Sequence, residues 1–193
     1  MLGVITIRSP IVASPSAEHG AAATAPEATA TGDANEATGS VAGGQQGEAL
    51  VYLDDLRPLQ QPGSWYQTGA RTVNGRDFAR SVAIRQANRG QTVTTVFNLG
   101  RHYAELRFTI GLGDGSAPQL QSKCQVFADR QVIFDSGTMT RGTSSAVVRD
   151  MSEAFDLTLS CTPTQNMSAD GEVVFADAQL LAKPGQAPTT TSP

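Results

Sequence analysis

Apolar and polar positions alternate with a period of two in several stretches of this chain, the mark of strands with one face buried. The run 105–112 is the clearest. Leu106, Phe108, Ile110 and Leu112 fall on one face, and Arg107 and Thr109 on the other. Residues 92–99 (TVTTVFNL) are rich in the β-branched side chains that suit a pleated surface. Runs at 124–129 and 131–135 flank a turn expected at Asp129-Arg130, and runs at 145–149, 155–161 and 172–181 complete the set. Segments rich in Gly, Asn, Asp or Ser separate them, at 62–64, 73–76, 111–116, 135–137 and 170–171. No stretch sustains helical spacing with caps, and no internal repeat is visible. Short strands at fairly regular intervals predict an all-β sandwich or barrel.

Composition confines this pattern to part of the 193 residues. No Phe, Trp or Tyr precedes Tyr52 or follows Phe175. Residues 1–48 are mostly Ala, Thr, Gly, Ser, Glu and Pro, too poor in apolar surface to offset the entropy of ordering. They are expected to be a disordered stalk or linker, and 184–193 a disordered tail. One domain over 49–183 remains, long enough to bury a core. The start of the chain admits two readings. Residues 2–7 are apolar but far short of the roughly 20 needed to span a bilayer, and no positive charge precedes them. They are either a loose terminus or the end of a truncated membrane helix or export signal, with Arg8 at the membrane.

Charge excludes one class of partner. The net charge of −4 comes from residues 1–48, which hold Arg8 against five acids, and leaves the domain balanced. No basic field exists to attract a phosphate backbone, so nucleic acid is not an expected partner. A catalytic apparatus is equally hard to assemble. Gly111-Leu-Gly-Asp-Gly-Ser116 lacks the Lys-Ser/Thr ending of a phosphate loop and reads as a tight glycine turn. No Gly-x-Ser-x-Gly elbow occurs, and the domain has one histidine, His102, in an expected turn. The paired carboxylates Asp54/Asp55 and Asp170/Glu172 are close in sequence, and nothing in it shows either pair facing across a cleft as glycoside hydrolysis requires. Asn166-Met-Ser168 is a formal glycosylation sequon.

The two cysteines, Cys124 and Cys161, each share a strand face with apolar residues. They are either two buried thiols or a disulfide closing a loop of about 37 residues, worth on the order of 4 kcal/mol. A disulfide would imply an oxidising compartment. Two cysteines and one histidine match no zinc spacing, so no metal is expected there.

Taken in order, residues 49–182 carry a series of landmarks. Tyr52-Leu-Asp-Asp-Leu56 comes first, then Trp65-Tyr66, then Val73-Asn-Gly-Arg-Asp-Phe-Ala-Arg80. Val96-Phe-Asn-Leu-Gly100, Phe108-Thr-Ile-Gly-Leu-Gly-Asp114 and Gln125-Val-Phe-Ala-Asp129 follow. Val132-Ile-Phe-Asp-Ser-Gly137 and Phe175-Ala-Asp-Ala-Gln-Leu180 close the series. In order and spacing these resemble the NPCBM domains, a family of carbohydrate-binding modules. The resemblance implies an antiparallel β-sandwich of jelly-roll, galactose-binding-like type. It also implies a non-catalytic module, a glycan or cell-wall polysaccharide as partner, and an extracytoplasmic location. Cys124 stands where the family has a core Phe and Cys161 at an aliphatic core position. Such a paired replacement favours the disulfide, since two separate truncations would leave cavities.

The sequence departs from the family pattern where binding is expected. The family His after the Asn-Gly signature is Arg85, and the Asp-His-Ala-Asp-Trp segment reads Gly171-Glu-Val-Val-Phe175, so polar groups and the Trp are lost. A sugar site needs an aromatic platform and convergent polar groups. The residues left for one are Trp65, Tyr66, Arg85, Asp114 and Glu172, with stacking on Trp65 and hydrogen bonds from Arg85 and the acids. The alternative is a protein-interaction or structural ectodomain that has lost the sugar site. No cofactor is expected, and a structural calcium ion would need more oxygen ligands than the sequence places.

Overall fold

The computed structural model describes residues 49–60, 63–86, 90–164 and 170–186. The stalk expected over 1–48, the tail beyond 186 and the sequon at Asn166 lie outside them. The described strands are β1 (Leu50–Tyr52), β2 (Tyr66–Thr68), β3 (Arg71–Val73), β4 (Arg76–Phe78), β5 (Ser81–Gln86) and β6 (Val93–Asn98). They continue with β7 (Tyr103–Leu112), β8 (Gln121–Ala128), β9 (Gln131–Thr140), β10 (Ser144–Asp150), β11 (Asp156–Pro163) and β12 (Gly171–Ala182). One sheet runs β10-β7-β12-β5-β2 with β1 also on β12, a second runs β6-β11-β8-β9, and β3 pairs only β4. The fold is the expected antiparallel β-sandwich.

Alternation decides which face of each strand enters the core. From the larger sheet come Val82 and Ile84 (β5), Leu106, Phe108 and Ile110 (β7), and Val173, Phe175 and Leu180 (β12). From the smaller come Phe97 (β6), Val126 (β8), and Leu157 and Leu159 (β11). All are 5% exposed or less, and burial of each such side chain contributes roughly 1.5–3 kcal/mol. Phe108 is the hub, with ring centroids 5.4 Å from Phe175 and 5.7 Å from Phe134.

Cys124 and Cys161 face each other across β8 and β11 and form a disulfide within this core. Of the two sequence readings, the bonded pair is the one that forms.

Strand β12 changes neighbour along its length. Its first half pairs β5 and its second half pairs β1. A register shift between Ala176 and Gln179 marks the change, and there Asp177 adopts φ 45° and donates its N–H to the Arg80 carbonyl. Arg80 fastens the chain entry to this point. Its guanidinium lies 4.1 Å from the Tyr52 ring centroid and pairs with Asp54 and Asp55.

Two expected loops are different in the structure. Residues 135–137 do not end a strand but form an irregularity inside β9. Gly137 there has φ 60°, its N–H donates to Asp135 Oδ1, and Ser136 Oγ accepts the Cys124 N–H. The Asp-Ser-Gly segment does bend the chain locally, but the ladder to β8 resumes beyond it. Within residues 111–116 a tight turn forms only over 113–116, closed by the Ser116 N–H on the Gly113 carbonyl at 2.9 Å, and no glycine there has positive φ. Gly111 lies within β7, Gly113 bridges Val73, and neither has positive φ. Both are close-approach positions. A Cβ on Gly111 would stand 2.6 Å from Val73 Cγ1 and 2.7 Å from the Thr143 carbonyl oxygen, and one on Gly113 would stand 3.0 Å from the Glu172 side chain.

Candidate functional site

The close approach at Gly111 lets the β3–β4 hairpin dock on the outer face of the larger sheet. Val73 and Phe78 from the hairpin pack on Ala83, Val174 and Ala176, a second small core. Asn74 and Gly75 join the two strands with φ 51° and 72°, the left-handed pair a tight hairpin requires. Asp114 clasps that tip. Its carboxylate accepts the Asn74 N–H at 2.8 Å and the Gly75 N–H at 2.7 Å, and its own N–H donates to the Thr72 carbonyl at 2.9 Å. Asp114→Ala would leave those turn N–H groups without their charged acceptor. It is expected to cost about 2 kcal/mol, read as a shift in urea midpoint with an unchanged slope.

Beside the hairpin, polar side chains converge on one transverse row. Arg85 and Glu172 are cross-strand partners on β5 and β12. Glu172 is held on both sides of its backbone, since Gly113 N–H donates to its carbonyl at 3.0 Å and its own N–H donates to Ser116 Oγ at 3.1 Å. Its carboxylate pairs with Arg71 Nε at 2.8 Å, with both side chains about four-fifths buried (20% and 22% exposed). Arg71 also donates to Gln67 Oε1 and to the Ala70 carbonyl, each at 2.9 Å. Arg85 instead reaches Asp170, at 3.1 and 3.2 Å, where both groups are open to water. An exposed pair of that kind is weak and gives way readily to another partner.

Two adjoining cavities flank this row. One of about 550 Å³ lies against the hairpin, between residues 70–72, 77–79 and Asp114. One of about 230 Å³ holds Gln67, Arg85, Ser116 and Asp170. Gly115 and Glu172 line both.

The structure therefore brings Arg85, Asp114 and Glu172 to one surface, with Asp114 serving the hairpin. Trp65 and Tyr66 are placed differently. Trp65 is half-buried against the main core and lines neither cavity. The Tyr66 ring lies 6.3 Å from Phe97, centroid to centroid, and its hydroxyl is buried without a partner among the described residues. Burial, and secondarily the charge of Asp54, pushes that hydroxyl up to about 12. The neutral form is the one the fold accommodates. Its contribution is therefore complete below pH 10 and lost as pH rises through about 12. Tyr66→Phe is expected to remove this part of the alkaline loss of stability, measured by chemical denaturation between about pH 9 and 12.

The departure at Phe175 takes on a different meaning in three dimensions. Its side chain is 1% exposed within the main core, so replacing a Trp there removes no surface ring. Val174 lies under the hairpin. Sequence reasoning missed Arg71 and Gln67, whose only local signal was their position between Trp65-Tyr66 and the Asn-Gly turn. His102 lines neither cavity, and its Nδ1 is buried. Among the described residues, no three His, Cys, Asp or Glu side chains are grouped to hold a metal ion. Among them, too, no helix is long and apolar enough to cross a membrane.

Comparison with known proteins is consistent with this architecture. The family model described as NPCBM/NEW2 domain matches residues 49–181. No curated protein matches. Among solved structures, the chain is similar to the M60 catalytic domain with the CBM51-1 and CBM51-2 domains from Clostridium perfringens ZmpB. The TM-score is 0.58 at 21% identity, over 70% of this chain but 15% of that one. It is similar to CBM51 from Clostridium perfringens GH95 in complex with methyl-galactose, with TM-score 0.55 at 20% identity, covering 68% of this chain and 99% of that one. It is also similar to CBM51-2 in complex with GlcNAc and INT domains from Clostridium perfringens ZmpB, with TM-score 0.57 at 16% identity, covering 69% and 32%. At these identities the likeness is one of fold.

Proposed function

The chain belongs to the NPCBM/NEW2 domain family, and from that premise we propose that it is a non-catalytic carbohydrate-binding module whose ligand is a glycan held on the outer face of the larger sheet. The observation that carries this reading is the row Arg71, Arg85 and Glu172 with Gln67 and Asp170. It joins two guanidiniums, two carboxylates and an amide across the two adjoining cavities that share Glu172. Sugar hydroxyls both donate and accept, and a mixed set of fixed donors and acceptors suits them better than a field of one sign. Arg85 and Glu172 occupy the positions at which the family pattern carries polar residues. A glycan seated here hydrogen-bonds to Arg85, Gln67 and Glu172, with Asp114 holding the cleft wall.

The disulfide supports an extracytoplasmic location, since such bonds persist in oxidising compartments. A protein-interaction module is the second reading. The observation favouring it is that the Arg85 cavity is lined by no aromatic residue, and Phe78, the aromatic residue lining the hairpin cavity, is only 4% exposed. A glycan array probed with the full chain, with Arg85→Ala and with Trp65→Ala separates the two. The expected result is binding to a defined glycan set that falls at least tenfold in Arg85→Ala. Folded protein that binds nothing on the array would leave the interaction reading in its place.

A further inference from the structure

Of the residues lining the hairpin side of the cleft, Arg71, Thr72 and Asp77 are not among the sugar-site candidates read from the sequence. We propose that this side is a second sugar subsite, so that the module binds two consecutive residues of an oligosaccharide with Glu172 shared between them. This rests on the carbohydrate reading above.

Size gives the first argument. The Arg85 cavity of about 230 Å³ falls below the roughly 300–1,000 Å³ of small-ligand sites, whereas the hairpin cavity of about 550 Å³ lies within that range. The two share Gly115 and Glu172, so a ligand entering one meets a wall of the other. The second argument is chemical. The hairpin cavity holds its own donor and acceptors. Arg71 is fixed by Gln67, the Ala70 carbonyl and Glu172, so little side-chain entropy remains to be lost on binding. Across the hairpin the Thr72 hydroxyl donates to Asp77 Oδ1 at 2.6 Å, which fixes a hydroxyl and a carboxylate at the same cavity. Asp77 forms no ion pair among the described residues. Openness is the third. Ala70, Asp77 and Ala79 are exposed, so a sugar chain can continue past this cavity into solvent.

Calorimetry on the full chain tests the proposal. The probes are methyl galactoside and N-acetylglucosamine, each beside its own disaccharide and trisaccharide. In at least one series the disaccharide is expected to bind about tenfold more tightly than the monosaccharide, with less than about threefold gained from a third residue. Asp77→Ala removes the carboxylate, and Ala79→Leu fills the hairpin cavity from an exposed position. Each is expected to lower disaccharide affinity about tenfold, to the monosaccharide level. Equal affinity for all lengths, or a gain with length that survives both variants, overturns the second subsite and leaves the carbohydrate reading standing. Absence of binding to every probe, monosaccharides included, overturns both.

Discussion

Glu172→Ala is expected to weaken glycan binding by about 30- to 150-fold, the equivalent of the 2–3 kcal/mol typical of lost hydrogen bonds to a charged group. No other side chain in the cleft reaches so many parts of it. The residue lines both cavities, its pairing with Arg71 orients the guanidinium, and its strand partner is Arg85. Truncation therefore removes an acceptor and also releases a donor. The same change leaves Arg71 four-fifths buried with no carboxylate beside it. A stability loss of about 1–2 kcal/mol should accompany the loss of binding. Glu172→Gln separates the two effects. It keeps an acceptor and the volume but removes the charge, and should recover most of the stability while binding stays at least about fivefold weaker. Binding unchanged in both variants would move the glycan site away from this face.

Loss of the disulfide is expected to have the largest effect on the fold. Replacing both cysteines with alanine should cost roughly 3–4 kcal/mol and lower Tm by about 10–20 °C. The bond joins β8 and β11, the two inner strands of the smaller sheet, and closes a loop of 37 residues. Both cysteines are fully buried, so the double variant also leaves unfilled space. For the same reason reductant should act only through opening of the fold. Thermal unfolding scanned soon after adding reductant should match the oxidised protein, whereas protein refolded in reductant should match the double variant. A Tm within about 2 °C in all three states would mean that the bond contributes little, because a change of 1 kcal/mol already shifts Tm by about 2–4 °C or more in a domain of this size.

Legibility in the sequence follows strand length. The strands β7, β8, β11 and β12 each have eight residues or more, and alternation alone marks most of their buried faces, whereas β9, with ten residues, is the exception because the irregularity at 135–137 and its mostly exposed positions break the period. The strands β1 to β4 have three residues each, too few to show a period. Asn74-Gly75 carries a turn signal without revealing that the flanking residues form a hairpin.

What the sequence by itself determined is the set of inward faces and the family. Each depends on local alternation or on ordered motifs, which survive without knowledge of partners. The tertiary structure alone decided which residues share the candidate site. Glu172 lies 101 positions after Arg71, and they meet because Gly111 and Gly113 let the hairpin settle on the outer face. It also decided that Asp114 serves the hairpin turn, that Tyr66 turns its hydroxyl into the protein and that Phe175 belongs to the core. Alternation records which side of a strand is buried. It does not record which strand lies beside it, and a binding cleft is built from neighbours.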